Sequence, residues 1–294
     1  MEAGEKQMNL SGILLIVLMA LVHQSEGIVV KEYSRRHGSG GMFFNAVICI
    51  FSLLFFVVTD KGGFYFPQGI WLFGLLNCFC FALGFYAMYE AIRCGSYANT
   101  KLVTSLSGVA AIVYGIVVLG EKVGRFTYPA IALVFLAIFL MNYKKGEGEK
   151  FNFKWLFWCA MVIVSNAPIG ILKREQQLRF DGKCDNEYMI ISLVGASLFL
   201  AALSFIKERD KISAFLKKGS IYGAVAGIFN GASNLLTLIV YAFVPVSVVS
   251  PISSALALVF SFLLSAFIYK EKFTPIQICA AFLGVVSVVL FKIS

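Results

Sequence analysis

The sequence contains little charge. Only 14% of its 294 residues are Asp, Glu, Lys or Arg, and 59% are hydrophobic. Soluble globular proteins carry about 25% charged residues, which supply the polar surface that covers their core. Disordered chains combine high net charge with low hydrophobicity. The composition therefore excludes both classes and indicates a membrane protein.

Few residues are available for catalysis or metal binding. The chain has two histidines, and its seven cysteines lie, apart from Cys184, in or at the edge of apolar runs. Such cysteines pack as small apolar groups, and their odd number does not suit a disulfide framework. The sequence has no P-loop, dinucleotide-binding glycine motif, His-Glu-x-x-His motif or nucleophile elbow. We therefore predict a protein that is not an enzyme and has no cofactor and no metal site.

Long charge-free runs define the predicted fold. From residue 219 to residue 269 the chain has no charged residue and no histidine. A bilayer core about 30 Å thick needs about 20 helical residues, so this run predicts two spans with a turn at 244–246. Eight further runs predict one span each: 10–25, 41–59, 62–89, 102–120, 126–143, 155–172, 188–206 and 273–291. The predicted fold class is an all-α membrane protein with ten transmembrane helices.

The basic residues of the chain fall mainly in short loops beside these runs, although the net charge is +9. Membrane proteins keep orienting charge there, beside anionic lipid headgroups. We therefore predict the lipid bilayer as a partner and no binding of nucleic acid.

The ten runs form two sets of five, which divide the chain into 1–146 and 147–294. The segment Leu119-Gly120-Glu121-Lys122 recurs as Tyr269-Lys270-Glu271-Lys272, at an offset of 150 residues. Because five is an odd number, two halves of five spans insert with opposite topology. This is the inverted-repeat plan of many secondary transporters.

The paired Glu-Lys motifs, together with Val249-Ser250-Pro251-Ile252-Ser253-Ser254, resemble the repeats of EamA-like carriers in the drug/metabolite transporter superfamily. The resemblance extends from about residue 10 to residue 292. It implies solute transport by alternating access, commonly export, through a central cavity between two repeats. It also implies a multi-pass protein of the plasma (bacterial inner) membrane with both termini in the cytoplasm.

Glu26 is the clearest ionisable residue inside a predicted span. Charged groups are rare inside membranes because burial is costly, so each is a functional candidate. His23 lies three residues earlier on the same helical face, and the pair could exchange a coupling proton or bind a cationic group. If the helix leaves the membrane core near Val30, Glu26 lies about 6 Å inside. In the alternative interpretation Glu26 pairs with Arg35 or Arg36 in a following loop.

Tyr89 and Glu90 are further candidates for solute binding or coupling, at the end of the run 62–89. Arg93 follows Glu90 by three residues, and Lys101 opens the next run. Such a cluster of mixed sign suits a zwitterionic, amino-acid-like solute. A local ion pair between Glu90 and Arg93 is the alternative.

In the second half a polar stripe at helical spacing has no reason to face lipid. It consists of Asn230, Asn234, Thr237 and Tyr241. Asn166 lies next to Pro168, which can break a helix and free carbonyl groups to line a site. For these asparagines, cavity lining and hydrogen bonding between helices are equally good interpretations.

Three other patterns have structural interpretations. Glycines at 219, 223, 227 and 231 predict close helix packing. The charged segment 173–187 predicts a solvated turn. Glu121 and Glu271 are predicted to cap the N-terminus of the helix that follows each of them.

We predict a secondary active transporter, an exporter, of a small polar metabolite or amino-acid-like solute, with a coupling proton or ion. The alternative is a non-transport membrane module that handles lipid or binds a partner. Orientation is open, because nine basic residues are assigned to the side of the termini and sixteen to the other side. Cytoplasmic loops carry the excess of Lys and Arg, so this count places the termini outside the cytoplasm. The resemblance to EamA-like carriers implies cytoplasmic termini.

Overall fold

The protein is described by a computed structural model covering residues 10–37, 41–60, 62–94, 100, 107–121, 123–142, 153–267 and 274–293. These residues are mainly helical, without a β-strand among them. The helices are α1 (Leu10–His37), α2 (Gly41–Thr59), α3 (Ile70–Cys94), α4 (Ser107–Val117), α5 (Thr127–Asn142), α6 (Phe153–Phe180), α7 (Asp185–Lys207), α8 (Arg209–Lys218), α9 (Ser220–Phe243), α10 (Val246–Phe267) and α11 (Pro275–Ile293).

The predicted all-α membrane class is confirmed. Within the described ranges, six helices are long and apolar enough to cross a membrane, namely α1, α2, α3, α6, α7 and α9. Shorter apolar stretches occur in α5, α10 and α11. The predicted boundary between the halves at 146 and 147 lies outside the described residues.

Helices α1 and α6 are longer than the apolar runs that predicted them, and two expectations are corrected. α1 continues beyond the run 10–25 to His37, so Glu26 lies well inside the helix. α6 continues to Phe180, so most of the predicted turn at 173–187 is helical. α6 also runs through Pro168 without a break. Because proline removes only one backbone donor, packing on both sides of α6 is enough to keep the helix continuous.

The packing of the helices repeats between the two halves. α1 packs on α9, and its counterpart α6 packs on α3. α2 packs on α9, and its counterpart α7 packs on α3. Likewise α1 packs on α10 and α6 packs on α4. Exchanging the corresponding helices of the two halves therefore converts each of these contacts into its partner, as expected for two repeats related by a pseudo-two-fold axis.

The helix ends define two faces of the molecule. On face A, α6 ends against the start of α3, where the ring of Phe180 approaches Gly69, and the end of α9 packs beside the start of α1. On face B, Tyr33 near the end of α1 stacks on Phe44 at the start of α2 and contacts Phe215 of α8. The charged and polar groups described below are assigned to these two faces.

The glycine stripe of α9 allows close contact with α2, as predicted. A Cβ atom on Gly227 would lie 2.5 Å from Cβ of Phe51 and 2.7 Å from the backbone oxygen of Ile48. A Cβ atom on Gly231 would lie 2.8 Å from Cβ of Phe55. Only glycine fits where one backbone approaches another this closely.

Gly227→Ala is expected to destabilise the protein by about 1–3 kcal/mol, because the methyl group overpacks the contact between α9 and α2. Gly27→Ala on α1 is the matched control, since a Cβ atom there meets nothing within 4 Å. The control is expected to be neutral or stabilising, because alanine favours a helix over glycine by about 1 kcal/mol. Thermal unfolding in detergent measures both. Equal midpoints for the two variants would contradict the close contact.

Candidate functional site

Glu26 and His23 of α1 meet α9 within the helix bundle. Nδ2 of Asn230 donates to both carboxylate oxygens of Glu26, at 3.1 and 3.2 Å. His23 Nδ1 lies 3.8 Å from Glu26 Oε2 and 3.5 Å from the hydroxyl of Ser233. The structure thus brings together three of the predicted site residues from opposite halves of the chain. Arg35 and Arg36, the alternative partners of Glu26, instead bond Glu32 on their own helix, at 2.9 and 2.5 Å.

Asn234 and Lys173 extend this group. Nδ2 of Asn234 donates to Oδ1 of Asn230 at 3.0 Å, and Nζ of Lys173 donates to Oδ1 of Asn234 at 2.5 Å. The hydroxyl of Ser52 also donates to Oδ1 of Asn230, at 3.1 Å. Lys173 thus donates to Asn234, Asn234 donates to Asn230, and Asn230 donates to Glu26. This continuous series of hydrogen bonds connects the ammonium group to the carboxylate, and we call it the Lys173–Glu26 relay.

The relay compensates a charge that is costly to bury. Lys173 is only 6% exposed. The desolvation penalty of a buried ion is several kcal/mol unless opposite charge and hydrogen bonds offset it. Here one charge comes from each half of the chain, and two neutral amides connect them. A change in the protonation of Glu26 therefore acts on contacts between the halves.

Lys173 was missed as a site residue because charges directly after an apolar run usually mark a loop. A weak signal was present in the sequence. Asn230 and Asn234 are spaced by one helical turn, so a pair of buried amides on α9 requires polar partners on neighbouring helices. The sequence does not show which helix supplies them.

A cavity of about 220 Å³ opens beside the relay, between α1, α4, α9 and α10. His23, Ser233, Thr237, Tyr241 and a group of serines on α10 (Ser250, Ser253, Ser254) provide its polar lining. Met19, Ala20, Gly108, Val249 and Ala257 provide the rest. The hydroxyl of Ser253 is buried without a hydrogen-bond partner among the described residues. The cavity therefore offers hydroxyl groups and one imidazole to a small polar molecule.

Glu121 and Arg174 form a second buried group, at face A. The carboxylate of Glu121 accepts from the backbone nitrogens of Val246 and Ser247, at 3.1 and 3.0 Å, and from the Ser247 hydroxyl at 2.6 Å. Arg174 Nε lies 3.3 Å from Glu121 Oε1, and its guanidinium also donates to the carbonyl of Tyr241. Glu121 thus joins the turn after α4 to α6 and α10.

The capping role of Glu121 is confirmed, but the predicted helix is wrong. Glu121 caps α10 of the other half rather than α5, the next helix in the chain. A carboxylate at a helix N-terminus is stabilised by the unpaired amides and the helix dipole. Glu271 lies outside the described residues.

Tyr89 and Glu90 lie at face B, in a hydrogen-bonded group of their own. The hydroxyl of Tyr89 donates to Glu208 at 2.8 Å. Glu90 forms the local ion pair with Arg93, at 3.3 Å, and lies 3.5 Å from Lys207 Nζ. The structure therefore does not join these two residues to the relay. Lys101 lies outside the described residues.

The two remaining predicted residues occupy different places. Tyr241 lines the cavity, and its hydroxyl oxygen lies 3.6 Å from where a Cβ atom on Gly170 would be. Asn166 is exposed on α6, with its Oδ1 beside Gly84 of α3. Of the predicted set, His23 and Tyr241 line the cavity, while Glu26, Asn230 and Asn234 form the relay beside it.

Comparison with known proteins identifies the fold and the family. No curated protein matches the sequence. A solved crystal structure shares the fold with a TM-score of 0.78 and 15% sequence identity, over 95% of this chain and 96% of that chain. Residues 10–143 and residues 153–293 each match the EamA-like transporter family. The chain is a multi-pass integral membrane protein with two repeats, and it belongs to the EamA-like transporter family.

Proposed function

We propose that the protein is a secondary active transporter that moves a small polar or amino-acid-like solute through the cavity between its two repeats. The observation that carries this proposal is the cavity, lined in part by hydroxyl groups and His23, directly beside the Lys173–Glu26 relay. A bundle that only anchors a partner has no need for either feature. The proposed direction is export, through the plasma (bacterial inner) membrane, as the resemblance to EamA-like carriers implies.

The proposed architecture has ten spans in two inverted repeats. α1 begins at face A, whereas its counterpart α6 ends there. The matching helix contacts of the two halves support this arrangement. α8, which has ten residues, is the additional helix and does not cross the membrane.

Alternating access requires contacts that close one face and are broken when that face opens. The Glu121–Arg174 pair at face A has this character, because it connects the first repeat to α6 and α10 of the second repeat. At face B, Glu208 connects Tyr89 of α3 to the backbone nitrogen of Met42 on α2. We propose that these two groups of contacts close opposite faces in turn.

The proposed coupling group is Glu26, which exchanges a proton with the cavity through His23. Protonation neutralises the carboxylate that accepts from Asn230, so the relay loses its negative end. The contacts between α1 and α9 therefore depend on the proton. This dependence links a proton gradient to the relative position of the two repeats.

Filling the cavity tests the proposed path. Ala257→Phe places a ring in the cavity and is expected to lower solute uptake into liposomes at least about tenfold, because cavity volume limits binding. Leu198→Phe, on an exposed position of α7, is the matched control and is expected to transport normally. Uptake of a panel of labelled amino acids measures both. Equal uptake by the two variants would contradict transport through this cavity.

The lipid-handling alternative is tested in the same liposomes with a fluorescent phospholipid. Transport through the cavity predicts that lipid exchange between leaflets stays at the rate of protein-free liposomes. Rapid lipid exchange without amino-acid uptake would favour the alternative.

A further inference from the structure

Lys173 of α6 is a buried cation without a carboxylate beside it. It is 6% exposed, and its Nζ makes one hydrogen bond, to Oδ1 of Asn234 at 2.5 Å. Among the described residues, no Asp or Glu oxygen lies within 4.0 Å of this nitrogen. An ammonium group has three N–H donors. Two donors of Lys173 therefore have no acceptor in the part of the chain that the structure describes.

The next residue of α6 shows how the chain neutralises a buried cation with a structural role. Arg174 lies 3.3 Å from the carboxylate of Glu121 and also donates to the carbonyl of Tyr241. Lys173 contacts only a neutral amide, and the carboxylate of Glu26 is two amides away. A buried ion is costly unless opposite charge and hydrogen bonds offset it. Inside a membrane such a group typically marks a substrate or ion pathway.

The side chain of Lys173 extends to the edge of the cavity. In an α-helix a side chain leans toward the N-terminus of the helix, so that of Lys173 runs back along α6 toward Gly170. The hydroxyl oxygen of Tyr241, which lines the cavity, lies 3.6 Å from where a Cβ atom on Gly170 would be. Asn234, the acceptor of Lys173, precedes Thr237 by three residues on α9, and Thr237 also lines the cavity. The ammonium group therefore lies next to the cavity wall that α9 provides.

We propose that Lys173 binds the carboxylate group of the transported solute. This proposal rests on the proposed transport through the cavity, and it adds the chemical class of the solute, a molecule with a free carboxylate. The flexible four-carbon stem of lysine lets the ammonium group turn from Asn234 to the cavity, where its donors meet the carboxylate oxygens. The hydroxyl groups of α9 and α10 bind the other polar groups of the solute.

This binding mode gives the solute a direct effect on the Lys173–Glu26 relay. When Lys173 turns to the solute, Asn234 loses the donor that it has in the empty cavity. The relay then loses its positive end, whereas protonation of Glu26 removes its negative end. Solute and proton therefore act on opposite ends of one series of hydrogen bonds that joins the two halves of the chain.

Paired ligands test the carboxylate site in the purified protein, without transport. The probes are L-amino acids and short carboxylic acids, each compared with its amide, which lacks the carboxylate charge. At least one acid is expected to bind the wild-type protein at least about tenfold more tightly than its amide, the effect of one hydrogen bond between charged groups. Isothermal titration calorimetry in detergent measures both affinities.

Lys173→Gln is expected to bind the same acid and its amide with equal affinity, since glutamine can donate to Asn234 but carries no charge. Without ligand, this variant is expected to unfold at a temperature at least as high as the wild-type protein, because it lacks the unpaired buried charge. Lys183→Gln is the matched control, in the exposed turn after α6, and is expected to keep the full preference for the acid.

Equal or absent binding of every acid and its amide by the wild-type protein would overturn the proposal. A preference for the acid that persists in Lys173→Gln would also overturn it. A much lower unfolding temperature of ligand-free Lys173→Gln would assign the ammonium group a structural role instead. These results differ from a failure of the proposed transport, which appears as equal uptake by Ala257→Phe and Leu198→Phe whatever charge the solute carries.

Discussion

Glu26→Gln is expected to reduce solute uptake driven by an imposed pH gradient at least about tenfold, to the level of protein-free liposomes. Removal of an essential proton-transfer group typically costs about 10²–10⁴ in rate. The fold is expected to persist, because a glutamine oxygen still accepts from Asn230. Solute exchange in the absence of a gradient is expected to continue. The variant therefore separates proton coupling from solute passage.

Glu32→Gln is the control for this experiment. Glu32 lies on the same helix and accepts from Arg35 and Arg36 at its exposed end. Its replacement removes the same charge from α1 at a position away from the cavity. Normal gradient-driven uptake by Glu32→Gln and none by Glu26→Gln is the expected pair of results. Normal uptake by both variants would remove Glu26 from the mechanism.

Glu121→Ala is expected to lower the free energy of unfolding by about 3–5 kcal/mol, the usual cost of breaking a buried ion pair by removing one partner. The side chains of Arg174 and Glu121 are only 12% and 6% exposed. Alanine leaves the guanidinium without its carboxylate, and it leaves two backbone amides at the start of α10 without their acceptor. Thermal unfolding in detergent measures the loss.

A double-mutant cycle with Arg174→Ala isolates the pair. The double variant is expected to be more stable than the sum of the two single losses predicts, because the second alanine removes the charge that the first left unpaired. Residues in contact commonly couple by about 0.5–3 kcal/mol. Additive losses would show that the two side chains do not interact in the folded protein.

The class of the protein and part of its site could be predicted from the sequence. A charged side chain is unfavourable inside a bilayer. Segments without charged residues therefore identify the predicted spans, and a charged residue inside a span, such as Glu26, is a candidate for solute binding or coupling. The asparagines of α9 were recognised for the same reason, since an amide among apolar residues requires a polar partner. The recurrence of the Glu-Lys pair in both halves indicated the two repeats.

The partners of these residues could not be predicted from local patterns. Lys173 and Arg174 follow an apolar run, and their charges indicate a loop unless another part of the chain supplies partners for them. Asn234 accepts a hydrogen bond from Lys173 and Glu121 pairs with Arg174, but these partners lie 61 and 53 positions away in the chain. The helix that Glu121 caps begins more than a hundred residues later. Such contacts arise from tertiary packing, which hydropathy and spacing do not encode.

The most direct test of transport through the cavity beside Glu26 is proton movement caused by solute. Liposomes containing the protein and a trapped pH-sensitive dye are exposed to each member of the amino-acid panel. We predict that at least one solute changes the internal pH with the wild-type protein. The same solute is predicted to cause no change with Glu26→Gln, with Ala257→Phe or in protein-free liposomes. An equal pH change with Glu26→Gln and the wild-type protein, or no pH change with any solute while labelled solute enters, would contradict proton-coupled transport at this site.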